Sequence, residues 1–341
     1  MAKKRRSVAI TLESIDKTVE IAKLAQDAGF ESVWTYDTPT ADAIVRCTAI
    51  ALATKRIKMG PGVAQAFARS PLMNACSALE IHRLSGGRYM IGFGAGTPRM
   101  NLARLGVKTD HAASMLRDQV KIMKMLFAAA PKGEPVSYQG NYFSMSQDRY
   151  HMSDLPPEPP MIYNAAVNPY MAMMTAEVCD GLAGHPCWYI AYIKGMMYPE
   201  VEKGLKRAGR AWDSLDIAPW ITTSIHKDRK QARREAAYTL GNYLATRSYA
   251  HLLDYMGWQK EKEAIYHAFW QLHDADKVAD AVSDDIIDAM SITGTPDEAR
   301  KRVEAYDEIG LPVFISAGGR VGGPGRTFEN LKSIVETFAV D

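Results

Sequence analysis

Long apolar runs are missing from this sequence. No stretch approaches the ~18 consecutive apolar residues that a membrane-spanning helix requires, so no membrane partner is expected. Charge of one sign is missing too: 41 Lys and Arg stand against 39 Asp and Glu, a formal net charge of +2. The basic residues are scattered rather than striped, which argues against nucleic acid. Cysteine is scarce, with Cys47, Cys76, Cys179 and Cys187 in no C-x-x-C spacing. No H-E-x-x-H and no clustered Cys/His spacing occurs, so no metal site is expected. The thiols read as reduced, buried groups of a cytoplasmic protein. The basic start, Met1-Ala-Lys-Lys-Arg-Arg6, is followed by neither the apolar run nor the small-residue cleavage site of a signal peptide. It reads as a solvated tail.

What is present is a globular composition, 47% apolar and 23% charged over 341 residues. Short apolar strands are expected at 7–11, 31–36, 57–59, 88–93, 161–164, 181–183, 217–225 and 312–316. Amphipathic helices are expected between them. Ser14 caps the first, whose apolar face is Val19, Ile21, Ala22, Leu24 and Ala25, and Gly29 stops it. Others are expected at 40–54, 70–84, 111–127, 169–178, 191–208, 295–309 and 327–338. Parallel strands covered by helices, about eight of each, favour a (β/α)8 TIM barrel over an open sheet. The alternation breaks at about 131–160, where 136–143 reads as a hairpin around Gly140 and Leu155-Pro-Pro-Glu-Pro-Pro160 as a stiff linker. It breaks again at about 241–289, a helical insertion in the C-terminal third. The chain is read as one domain, 1–341, with these two insertions.

In such barrels the chemistry sits at the carboxyl ends of the strands. After the second strand come Asp37 and Thr38, either a turn pair or groups facing the mouth. After the third comes Gly60-Pro-Gly-Val63, whose glycines permit unusual dihedrals. After the fourth comes Gly92-Phe-Gly-Ala-Gly-Thr97. It is not read as a dinucleotide loop, because Pro98 and Arg99 are expected to follow in place of a helix. After the fifth, Asn164-Ala-Ala-Val-Asn168 precedes a helix whose start offers free N–H groups to a phosphate, or is simply capped by Asn168. The glycine-rich stretch 317–326 carries Arg320 and Arg326 and reads equally as an anion grip or a surface loop. Candidate proton donors are Asp37, Glu13, His82, His111 and His185, a lone His being more often structural.

Ile57-Lys-Met-Gly-Pro-Gly-Val63, Ala68-Arg-Ser-Pro71, Leu84-Ser-Gly-Gly-Arg88 and Ile91-Gly-Phe-Gly-Ala-Gly96 together resemble the luciferase-like oxidoreductases. Within them the sequence is most similar to the F420-dependent methylene-tetrahydromethanopterin reductase group. Residues 164–181, 287–298 and the closing helix carry the same resemblance. It implies a luciferase-like (β/α)8 barrel, usually a homodimer, that transfers a hydride between the deazaflavin F420 and a small organic substrate. It also implies a non-prolyl cis bond at Gly62–Val63. The cofactor-binding residues implied are Asp37, Thr38, Gly62, Val63, Gly96, Thr97, Ala165, Ala166, Val167 and Asn168, and the catalytic residues Asp37 and Glu13. Two positions depart from the pattern: Thr38 stands where many relatives carry His, and Thr11 where the reductases carry a Glu, with Glu13 two residues on. The alternatives are an FMN-dependent monooxygenase on the same barrel, and a catalytically inactive barrel acting as a binding protein.

Overall fold

The computed structural model describes residues 4–10, 12, 14–318 and 325–340. Among the described residues thirteen strands occur: β1 Ser7–Ala9, β2 Ser32–Thr35, β3 Lys58–Pro61, β4 Ala64–Gln65, β5 Met90–Gly94, β6 Val136–Gln139, β7 Ser144–Gln147, β8 Met161–Ala165, β9 Gly181–Ala183, β10 Asp216–Ala218, β11 Trp220–Ile225, β12 Ser291–Gly294 and β13 Val313–Ser316. The chain packs as two compact units.

The first unit takes the chain through Val33, then Gly184–Pro199, then everything from Ile217. Its parallel strands place β13 between β1 and β11, and β11 also pairs with β12. The strands are buried throughout, as befits a sheet covered by helices. Ser14 caps the helix Ile15–Asp27. Asp228 caps Arg229–Leu244. Thr295 and Glu298 form a reciprocal capping box on Pro296–Asp307, the pattern that Thr-Pro-Asp-Glu predicts. Phe314 stacks on Phe338 with centroids 4.0 Å apart, which seats the last helix, Thr327–Thr337, on the sheet. Residues 245–290 are helical throughout apart from short connections.

The second unit comprises Trp34–Ala183 and Glu200–Asp216. Here β4, β5, β8 and β9 pair in parallel, and a parallel bridge from Met59 to Tyr89 brings β3 alongside. Trp34 and Tyr163 meet edge-to-face, centroids 5.0 Å apart. A glycine makes room for the tyrosine. A β-carbon on Gly181 would stand 2.0 Å from the Tyr163 ring, whereas one on Gly92 would meet the Pro61 carbonyl at 2.3 Å. The Tyr163 hydroxyl donates to Asp216 over 2.6 Å, so the ring is fixed at both ends. At the amino ends of the strands, Arg88 spends its guanidinium on Ser85, Thr54, Ile57 and Ala51 through five bonds of 2.7–3.1 Å.

Three expectations are corrected. A helix, Pro98–Leu105, does follow the Gly92–Gly96 run, with Thr97 as its cap and Pro98 in its first turn. The glycines drew the reading toward a loop, although a capping residue before proline is itself a helix start. A four-residue strand, β12, went unseen at 291–294 because it follows the helix Asp284–Met290 directly. The strand expected at 217–225 is two, since Pro219 interrupts the ladder. Elsewhere the differences are end effects. The helix expected at 40–54 begins only at Ala43, because Asp42 accepts the N–H groups of Ile44 and Val45 as its cap. The hairpin pairs 136–139 with 144–147.

Candidate functional site

The residues singled out after the second to fifth expected strands gather at the carboxyl ends of β2, β3, β5 and β8, all in the second unit. Asp37 organises them. Its Oδ1 accepts the Ala43 N–H and its Oδ2 accepts the Gln65 N–H, both at 2.8 Å, while its own N–H donates to the Val63 carbonyl over 3.1 Å. Gly62 N–H donates to the Thr35 carbonyl. The loop after β3 is thus tied to the end of β2 by backbone and side chain alike. Both carboxylate oxygens accept from backbone amides, the geometry of a group that ties two loops together. Thr38 closes a short turn, bridging to Ala41 and accepting the Thr40 N–H at 3.2 Å. The Gly62–Val63 bond is cis.

Alternation along the strands then defines a slot. Gly92 on β5 is in register with Tyr163 on β8. The next residues on that face are Gly94 and Ala165. A β-carbon on Gly94 would stand 2.3 Å from Val63 Cγ2. Above the wide Trp34–Tyr163 layer the walls therefore shrink to a hydrogen, a methyl and the Val63 side chain. Val63, Gly94, Thr97, Ala165 and Val167 are all half-buried, Gly96 is exposed and Ala166 is buried. Gly96 holds φ +64, where a β-carbon would also meet Asn101 at 2.6 Å. Asn168 accepts the Met171 N–H at 3.3 Å as the cap of Pro169–Val178. A flat ring above the buried Trp34–Tyr163 pair, with an anion at the capped helix start, is the shape that these small walls and this helix start fit.

The other candidates disperse. Glu13 and Arg320 lie outside the described residues. His82 is bolted in place, one nitrogen on the Tyr89 carbonyl at 3.0 Å and the other on that of Glu158 at 2.8 Å. His111 precedes the helix Ala112–Ala129 without a capping bond from its side chain. His185 belongs to the first unit. Arg326 is committed to Glu235 by two bonds of 2.7 and 2.8 Å, so it is an internal tie of that unit. The four cysteines are free. Burial pushes the Cys47 and Cys179 thiols up to about 12 and raises Cys187 as well, which keeps all three protonated and inert.

The second unit also holds a cavity of about 710 Å³, lined by the proline linker 155–160, Leu79, Phe127, Lys124 and Asp180. It lies at the opposite ends of the strands, against Met161 at the start of β8 and Asp180 just before β9. Two of its polar groups are paired: Lys124 holds Asp180 at 2.6 Å, and Asp180 accepts the Ile162 N–H at 2.9 Å. The Trp34–Tyr163 floor was not anticipated from sequence. Part of its signal was there, a glycine at 181 that leaves room for the Tyr163 ring.

Comparison with known proteins gives a consistent picture. A family model described as luciferase-like monooxygenase matches residues 1–312. A 5,10-methylenetetrahydromethanopterin reductase of Archaeoglobus fulgidus is 30% identical over 311 residues, 88% of each chain. Among solved structures, a coenzyme F420-dependent tetrahydromethanopterin reductase from Methanopyrus kandleri superposes with TM-score 0.82 at 23% identity, covering 99% of each chain. An F420-dependent secondary alcohol dehydrogenase, in complex with an F420-acetone adduct, superposes with TM-score 0.74 at 19% identity over 99% and 98% of the two chains. The fold is the luciferase-like (β/α)8 barrel, and with more than nine-tenths of its length matched the chain belongs to the luciferase-like monooxygenase family.

Proposed function

We propose that the protein is an F420-dependent oxidoreductase that transfers a hydride between the deazaflavin and a small organic substrate. The observation that carries this reading is the slot over Trp34 and Tyr163, walled by Val63, Gly94 and Ala165, in a chain whose relatives include F420-dependent reductases. When bound, F420 supplies a two-electron carrier that reacts by hydride. The chain supplies the rest. Gly62, Val63, Gly96, Thr97 and Ala165 would line the ring. Ala166, Val167 and Asn168 would meet the phosphate at the helix start. Asp37 and Thr38 would hold the β2 and β3 loops in register. Such fixed backbone gives orientation and excludes water, the main contributions expected of a protein whose cofactor does the chemistry. In this reading Asp37 positions the loops rather than donating a proton, and Glu13 is the carboxylate left for proton transfer.

Titration of the purified protein with F420 and with FMN, followed by fluorescence, tests the cofactor. Micromolar or tighter F420 binding with none for FMN is expected. Tight FMN binding alone would turn the reading to a flavin monooxygenase, and binding of neither would turn it to an inactive barrel.

A cytoplasmic homodimer belongs to the same proposal. Among the described residues no helix is long and apolar enough to cross a membrane. The helices Ala43–Ala53 and Pro71–Leu84 leave Leu52, Val45 and Met73 more than half exposed, an apolar face of the kind that a second copy covers. Light scattering at micromolar concentration is expected to show a dimer, and a monomer would overturn it.

A further inference from the structure

We propose that Gln65 is a cofactor-recognition residue whose side-chain amide reads the imide edge of the deazaflavin ring, Oε1 accepting the ring N–H and Nε2 donating to a flanking carbonyl. The inference rests on the oxidoreductase reading above and adds to it the side chain that recognises the polar edge of the ring.

Gln65 ends β4, in the second unit. It is in register with Gly94 on β5, as Gly92 on that strand is with Tyr163 on β8. In-register neighbours in a parallel sheet turn their β-carbons to one face, and residues two apart share it. Gln65, Gly94 and Ala165 therefore share the face of Tyr163. The other face is the helix side, because Asn164 donates to Thr175 of the helix Pro169–Val178 at 2.8 Å. Gln65 thus stands on the inner face, level with Gly94 in the slot. Its backbone is held twice. Its own N–H donates to Asp37 Oδ2 at 2.8 Å, and the following N–H, that of Ala66, donates to the Gly94 carbonyl at 3.1 Å.

The side chain, by contrast, is idle. Gln65 is half-buried, and its Oε1 is buried with no hydrogen-bond partner among the described residues. Other polar groups of this unit hold buried atoms without partners, but they stand elsewhere. Asn164 faces the helices, and Tyr89 shares the parity of Phe93, which is in register with Asn164. Gln119 belongs to the helix Ala112–Ala129, and Tyr150 follows the hairpin. A buried acceptor without a donor destabilises the protein alone and is satisfied when a ligand brings an N–H. The ring of a deazaflavin carries carbonyl, N–H and carbonyl in a row along one edge. A carboxamide complements two adjacent members of that row, acceptor to donor and donor to acceptor. The apolar walls Val63, Gly94 and Ala165 leave a flat ring free to turn in its own plane. One fixed polar group removes that freedom.

The test uses two substitutions. Gln65→Met keeps length and volume and removes both polar atoms, whereas Gln65→Glu keeps an acceptor. In thermal unfolding of the full chain without cofactor, the Gln65→Met midpoint should equal that of wild type or exceed it by about 1–2 °C, because an unsatisfied acceptor has gone. In fluorescence titration the same variant should bind F420 about three- to tenfold more weakly, the worth of one hydrogen bond. Proton–nitrogen spectra of bound, nitrogen-labelled F420 should show the ring N–H downfield and protected from exchange with water. It should move upfield and exchange faster in Gln65→Met, and stay downfield in Gln65→Glu. A lowered midpoint in Gln65→Met would make the amide a packing element and overturn the proposal. Unchanged F420 affinity, or a ring N–H signal left in place by Gln65→Met, would overturn it while the oxidoreductase reading stands. Wild-type protein that binds no F420 would overturn both.

Discussion

The second unit has two ends, and they are built on opposite plans. At the amino ends of the strands lies a space of about 710 Å³, and polar groups at that end are spent on other atoms of the protein. Arg88 satisfies five acceptors, His82 two carbonyls, and Lys124 is held by Asp180. At the carboxyl ends the residues brought together are glycine, alanine and one valine. Volume thus points one way and chemistry the other. A groove walled by proline and satisfied charges can be filled or emptied at little consequence. A slot one hydrogen wide at Gly94 cannot.

The contrast can be broken most sharply at Gly94. Gly94→Val would drive side-chain atoms into Val63, already 2.3 Å from where a β-carbon would sit. F420 affinity is expected to fall more than about a hundredfold, with overpacking costing about 1–3 kcal/mol of stability. A calorimetric titration indistinguishable from wild type would remove the slot from consideration.

At the other end the largest effect is expected from Arg88→Met, which strands five acceptors. Unfolding should become easier by about 3 kcal/mol, with F420 affinity unchanged. Denaturant unfolding checks the first part. A matching loss of affinity would show that the ends are not separable.

Asp37→Asn sharpens the comparison more gently. An amide offers one acceptor where two backbone N–H groups arrive. A loss of about 1–2 kcal/mol in stability and about tenfold in F420 affinity is expected, with no shift in the pH profile of turnover. A shifted profile would restore Asp37 as a proton donor. The smallest effect is expected from Ala128→Trp, an exposed position that lines the large cavity. Stability should move by less than about 0.5 kcal/mol, and turnover should not move at all.

Much of this was legible from sequence where local chemistry decides. The helix Pro169–Val178 and the strand Gly181–Ala183 begin and end where expected, because Asn168 caps and Pro169 opens the one and small residues bound the other. The gathering of Asp37, Val63, Gly96 and Ala165 was legible because barrel strands present their carboxyl ends together. What escaped depends on contacts far apart in the chain. Nothing near Asp37 announces that its oxygens take the amides of Ala43 and Gln65. Nothing near Arg326 announces Glu235. The helix Pro98–Leu105 was hidden for a different reason: its start signals were local, and the glycine run before them was given more weight.

The ring pair beneath the slot has a consequence of its own. Trp34 and Tyr163 set depth, as a false bottom does in a drawer, and the walls above set only width. Tyr163 is pinned by Asp216 and seated against Gly181, so its height follows from residues other than the walls. Exchange of Tyr163 for a smaller side chain would lower the floor while every wall residue kept its identity. A change of occupant in this barrel is therefore available from underneath.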